Sequence, residues 1–118
     1  MTTDNTKQIA ALNDEFRSYV GMPVFGPRVP GRIVITSGIT ALSPEAKIAI
    51  WSIVRHFDTF TPDNDPHGEH DFGAFDYQGQ RIFWKIDYYD TTLTKGSEDP
   101  TDPKQTVRVL TIMLASEY

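Results

Sequence analysis

Arg81-Ile82-Phe83-Trp84-Lys85-Ile86-Asp87-Tyr88-Tyr89-Asp90 decides the fold, because its side chains alternate in character. In an extended chain Ile82, Trp84, Ile86 and Tyr88 fall on one side, and Phe83, Lys85, Asp87 and Tyr89 on the other. The first set suits a core. The second is half polar and suits a wet or partner-facing side. Residues 71–77 read as a companion strand, and Gln78-Gly79 between the two runs suits a tight hairpin turn.

Working outward, residues 91–103 are rich in Asp, Pro, Gly and Ser and read as a loop. Val107, Val109 and Thr111 are β-branched and Ile112 continues the trend, so residues 107–115 are predicted as a strand; Leu110, Met113 and Leu114 would also tolerate a helix. Upstream, Ser43-Pro44-Glu45 is a helix start. Ser43 can accept from the free N–H groups, Pro44 fits the first helical position and Glu45 complements the dipole. That helix is predicted to run to about Phe57 with a stripe of Ile48, Ile50, Trp51, Ile53, Val54 and Phe57, and Arg55 and His56 suit its negative end. Residues 32–36 form a short β-branched strand, and residues 38–42 lead out of it. Residues 22–31 hold Pro23, Pro27 and Pro30 and read as a wrapping loop, with Phe25 expected to tuck into the core. Residues 3–20 read as an amphipathic helix with Ile9, Leu12, Phe16, Tyr19 and Val20 on its apolar side, capped by Thr3 or Asp4 and ended by Gly21. Lys7, Asn13, Asp14, Glu15 and Arg17 fall between them.

The order is helix, strand, helix, hairpin, strand. The simplest layer solution is an α+β fold with two helices packed on one face of a four-stranded, mainly antiparallel sheet. A chain of 118 residues suits one domain over residues 1–118. There is no Cys, which excludes disulfides, thiolate metal sites and Cys nucleophiles. No apolar run of membrane-spanning length occurs, and residues 1–7 lack the basic start and apolar stretch of a signal peptide, so a cytoplasmic location is expected. A net charge of −5 argues against phosphate-backbone binding as the main activity.

Chemistry concentrates in Asp63-Asn64-Asp65-Pro66-His67-Gly68-Glu69-His70-Asp71, which places six metal- or proton-binding side chains within nine residues. Asp63, Asp65, His67 and Gly68 resemble the opening of an EF-hand loop, but Ala74 stands where a bidentate Glu is needed. Asx-turns made by Asp63, Asn64 and Asp65 account for the same residues. His67, Glu69 and His70 are the alternative metal set, at a spacing that selects no particular ion. The zinc deaminase signature, which also opens on His-x-Glu, needs paired Cys that the chain lacks. His70 with Glu69 and Asp71 is the alternative catalytic set, a titrating imidazole beside orienting carboxylates. The same pair equally serves to fix the loop onto the hairpin. There is no G-x-S-x-G, phosphate loop or dinucleotide fingerprint, and Ser37-Gly38 reads as a turn. The hairpin aromatics have Asp76, Asp87 and Asp90 for neighbours rather than a basic field, which disfavours base stacking.

Residues 61–75, Phe83-Trp84-Lys85-Ile86-Asp87-Tyr88-Tyr89-Asp90 and Arg108-Val109-Leu110-Thr111-Ile112-Met113-Leu114-Ala115 resemble a bacterial family, domain-of-unknown-function family 3768. That family occurs in proteobacteria and is often plasmid-borne. The resemblance implies a small cytoplasmic bacterial protein and carries no activity, substrate or catalytic residue. The resulting expectation is a non-enzymatic protein-binding or regulatory module without a cofactor, and the family's plasmid-borne habit suggests an accessory of mobile elements in plasmid maintenance or counter-defence. Its expected surface joins Asp63, Asp65, His67, Glu69, His70 and Asp71 to Lys85, Asp87, Tyr89 and Asp90, as a water-facing ridge at the end of the sheet. The alternative is a small metal- or acid–base-dependent enzyme using the cluster from His67 to Asp71. An edge strand over residues 32–36 or 107–115 is open to pairing with a second copy.

Overall fold

The computed structural model describes residues 4–118; the proposed cap Thr3 lies outside them. Helix α1 spans Asp4–Arg17, strand β1 Gly31–Ile35, helix α2 Ser37–Thr40 and helix α3 Pro44–His56. Strands β2 (Phe72–Tyr77), β3 (Gln80–Tyr89) and β4 (Val107–Leu114) follow, and a 3-10 turn, Ala115–Glu117, closes the chain. The fold is α+β, as the residue pattern predicts. Ser43 caps α3 by accepting from the Ala46 N–H, with Pro44 at the first helical position. Gln78 and Gly79 have φ of 50° and 80°, which gives the hairpin a turn whose twist matches its strands.

The sheet order is β1-β4-β3-β2. The β2–β3 and β3–β4 pairs are antiparallel, but β1 runs parallel to β4, so the sheet is mixed. The reason is topological. β4 returns antiparallel beside β3, and β1 takes its other edge in the same direction, across the connection that α2, α3 and the hairpin supply. Register places Ile82, Trp84 and Ile86 of β3 beside Leu114, Ile112 and Leu110 of β4. These face Leu12 and Phe16 of α1, Ile39 of α2 and Ile50 and Val54 of α3 in the core cluster. Gly73 lies flat under the Trp84 indole; a Cβ there would stand 2.2 Å from Nε1. Among the described residues no α-helix packs on the other face of the sheet.

Three local expectations are corrected. The first helix ends at Arg17 rather than Val20, and the chain continues through turns to Gly21. Phe25 does not tuck inward: it is 96% exposed, because Pro23 and Pro27 hold its loop away from the sheet. Ile48 leaves the α3 stripe and is 66% exposed, since the core-facing arc is already filled by Ala46, Ile50 and Val54.

Candidate functional site

The loop between α3 and β2 is divided. Asp65, Glu69 and His70 turn inward, which corrects the expected ridge. Asp65 is buried, and its carboxylate accepts from the Glu69 and His70 N–H groups. That grip holds His70 at φ 57°, a left-handed conformation that a non-glycine residue keeps only when its surroundings impose it. The His70 ring then stacks on Phe60 at 4.0 Å and meets Asp14 of α1 through Nδ1 at 2.9 Å. Asp14 also binds Arg17 at 2.8 Å, and the Arg17 guanidinium donates to the Val54 and Phe57 carbonyls at the end of α3. Arg17 lies 4.9 Å from the Trp84 ring centroid, a cation–π contact that offsets part of its desolvation.

Glu69 ends a buried polar chain. Arg108 Nε donates to Asn13 Oδ1 at 2.6 Å, Asn13 Nδ2 donates to the Tyr88 hydroxyl at 2.8 Å, and that hydroxyl donates to Glu69 Oε1 at 2.8 Å. Every donor points from the cation toward the carboxylate, so each bond polarises the next. Burial, and to a lesser degree the bond to Glu69, hold the Tyr88 hydroxyl far above its ordinary range, so it remains a donor. Asn13 also donates to the Glu69 carbonyl at 2.9 Å, and Arg108 to the Pro100 carbonyl at 2.7 Å. Burial lowers the Arg108 guanidinium from its ordinary value. Asn13 and Arg108 are fully buried.

Asp63, His67 and Asp71 turn the other way. With Lys85 and Asp87 of β3 they line a hollow of about 400 Å³ on the helix-free side, walled by Phe72 and Tyr118. His67 stands between the two sides, since it also lines a smaller hollow of about 310 Å³ with Asp65 and His70. Lys85 and Asp87 pair at 3.0 Å, and that contact raises the Lys85 ammonium from its ordinary value. Burial, then the negative charge of Glu69, push the Asp71 carboxyl up from 3.8. A second hollow of about 440 Å³, lined by Thr36, Lys85, Thr111, Met113, Glu117 and Tyr118, flanks the first, with Lys85 and Tyr118 common to both. The Glu117 carboxylate ties this end together by accepting from the Thr36 hydroxyl and the Gly38 and Leu114 N–H groups.

Tyr89 shares the β3 face of Lys85 and Asp87 and is half-buried beside Val107. Asp90 stands apart: its carboxylate accepts from the Thr92 and Thr94 N–H groups and holds the next turn. Among the described residues no group of three or more His, Asp and Glu side chains is arranged to hold a metal ion, so His67, Glu69 and His70 are not gathered as a metal set. None of the helices there is long and apolar enough to cross a membrane.

Sequence reading missed Asn13, Arg17 and Arg108. The signals were present. Asn13 lies one turn from Ile9 and Phe16 on the apolar stripe of α1, and Arg108 shares a strand face with Leu110 and Ile112. It also missed Phe72 and Tyr118 as walls of the hollow, for which no local signal exists.

The segment holding both hollows, with their loop, hairpin and closing turn, matches a family model over residues 35–117. The chain belongs to this family. It is described as a protein family of unknown function, DUF3768. The match takes in every residue that lines the two hollows except Tyr118, which falls just after it, while Asn13, Asp14 and Arg17 on α1 lie before it. No curated protein and no solved structure matches the chain.

Proposed function

We propose that this chain is a protein-binding module rather than an enzyme, and that its partner docks on the helix-free side of the sheet across the hollow around Lys85. The observation that carries this reading is the division of the loop. Glu69 and His70, which both a catalytic and a metal reading need, are occupied by Tyr88 and Asp14. What faces outward is a shallow, mixed-charge surface of Asp63, His67, Asp71, Lys85 and Asp87 between the Phe72 and Tyr118 rings. Aromatic rings amid separated charges are the makings of a protein docking patch. Three carboxylates to one lysine favour a partner segment with basic side chains and disfavour nucleic acid. The resemblance to plasmid-borne bacterial proteins supports a cytoplasmic accessory role for mobile elements, in plasmid maintenance or counter-defence.

A second reading, acid–base catalysis, has one observation in its favour: Asp71 lines an open hollow with its carboxyl pushed up by burial. Affinity capture from the native host separates the two. Charge reversal by Asp87→Lys should abolish recovery of the specific partner, and Tyr89→Ala on the same strand face should weaken it. Equal recovery with both variants and wild type would remove the docking surface proposed here.

A further inference from the structure

We propose that the free edge of β1 pairs with β1 of a second copy of this chain, antiparallel and two-fold symmetric about Ile33. This goes beyond the docking surface around Lys85 and does not depend on it.

β1 is an edge strand, and four of its five residues are exposed; the other edge strand, β2, exposes only Asp76. Its ladder to β4 is bracketed by two bonds, Arg108 N–H to the Pro30 carbonyl and Thr36 N–H to the Ile112 carbonyl. The backbone groups of Pro30, Arg32, Val34 and Thr36 therefore face β4. Those of Gly31, Ile33 and Ile35 face away from the sheet. These three residues are symmetric about Ile33. In an antiparallel pair centred there, Ile33 exchanges both its bonds with its own copy, and Gly31 meets Ile35 at either end. One two-fold operation thus matches every outward donor and acceptor of the strand, which is the signature of a self-complementary contact.

Side chains agree with that register. Arg32 falls opposite Val34 of the other copy, so no like charges are set directly across. Residues 20–36 carry Arg28 and Arg32 and no acidic residue, on a chain of net charge −5, so two copies meet without opposing carboxylates. Arg28 is already paired with Glu15. Among the described residues seven large apolar side chains are exposed, and five of them (Met22, Val24, Phe25, Ile33 and Val34) lie within residues 22–34. Natural edge strands are normally guarded by charge, proline or a bulge. This one carries Arg32 in the strand and Pro30 just before it, but its centre is apolar and an apolar loop lies beside it in sequence.

The chain has no cysteine, so a single introduced thiol reports the register directly. Ile33→Cys places the two sulfurs across a hydrogen-bonded pair whose Cα separation, about 5.5 Å, is within disulfide range. It should oxidise to a covalent dimer several-fold faster than Val34→Cys, whose partner position is residue 32. Sedimentation of the wild type from micromolar to millimolar concentration should show reversible dimerisation. Ile33→Pro removes an outward N–H without touching the ladder to β4 and should shift the midpoint at least tenfold toward monomer. Ile33→Lys, which keeps that N–H but adds a charge, should do the same. A wild type that stays monomeric over that range overturns the proposal. So does a dimer that persists in a folded Ile33→Lys protein, or a Val34→Cys variant that crosslinks as fast as Ile33→Cys.

Discussion

The polar loop before β2 uses the same residue types for opposite tasks on its two sides. Inward, Asp65 is buried and Glu69 and His70 are half-buried against α1 and β3, and both Asp65 oxygens and Glu69 Oε1 have donors. Outward, Asp63, His67 and Asp71 face Lys85 and Asp87 across an open hollow, where water can serve any group left without a partner. A buried polar atom that loses its partner costs the full desolvation of that atom; an exposed one turns to solvent. The contrast teaches that a cluster of histidines and carboxylates has no single role. Its members divide according to what lies behind each one.

The largest expected effect tests the inner side. Arg108→Met removes the cationic end of the buried chain, leaves Asn13 Oδ1 and the Pro100 carbonyl without donors, and strands Glu69 without its countercharge. Breaking such a network should cost about 3–5 kcal/mol. Asp87→Ala, on the outer side, should cost less than about 0.5 kcal/mol, since it removes one part-exposed ion pair. Urea unfolding midpoints of the two variants against wild type measure the difference. Similar losses would erase the distinction between the sides.

Next in size is the close approach that seats β2 on the core. Gly73→Ala drives a methyl group into the Trp84 indole, which is fully buried between Gly73 and Arg17. Overpacking of this kind should cost about 1–3 kcal/mol. A thermal midpoint unchanged from wild type would mean that Trp84 has room to move, and that the inner side is less rigid than its contacts imply.

Much of this architecture is legible in the residues because it is local. Ser43-Pro44-Glu45 marks a helix start by side-chain chemistry alone, Gln78-Gly79 marks a turn, and the alternation of β3 assigns Ile82, Trp84 and Ile86 to the core. The strand reading of residues 107–115 follows from β-branching and holds in β4, Val107–Leu114. What depends on distant partners is not legible. The parallel pairing of β1 with β4 joins residues more than half the chain apart, and no local pattern encodes it. Hydrophobicity alone points Phe25 inward, whereas it lies in a loop whose residues 21–28 are all exposed. The site was legible as a cluster but not as two sets. Glu69 and His70 turn inward because Asn13, Asp14 and Tyr88, outside the loop, offer them partners, and Asp65 follows by accepting from their N–H groups.

The smallest effect is the most specific to the outer side, and it concerns Asp71. Burial and the nearby Glu69 charge raise its carboxyl above 3.8 in the folded chain. At neutral pH the group is ionised in both states, so the fold carries the full penalty of holding that charge. As pH falls through the raised value, the native state takes up a proton before the unfolded chain does, and the penalty is relieved; the relief is complete below 3.8. Asp71→Asn should therefore melt at a slightly higher temperature than wild type at pH 7. The advantage should shrink as the buffer approaches pH 4, because the wild-type carboxyl then becomes neutral as well. Every other titrating group is common to the two proteins and largely cancels in the difference. An advantage that stays flat with pH would assign the effect to packing. One that grows toward acid would mean that Asp71 is stabilised as an anion, which reverses the electrostatic picture of the hollow. If the docking reading is right, the same variant should also bind its partner more weakly while folding more stably, the signature of a group kept for function at some expense of stability.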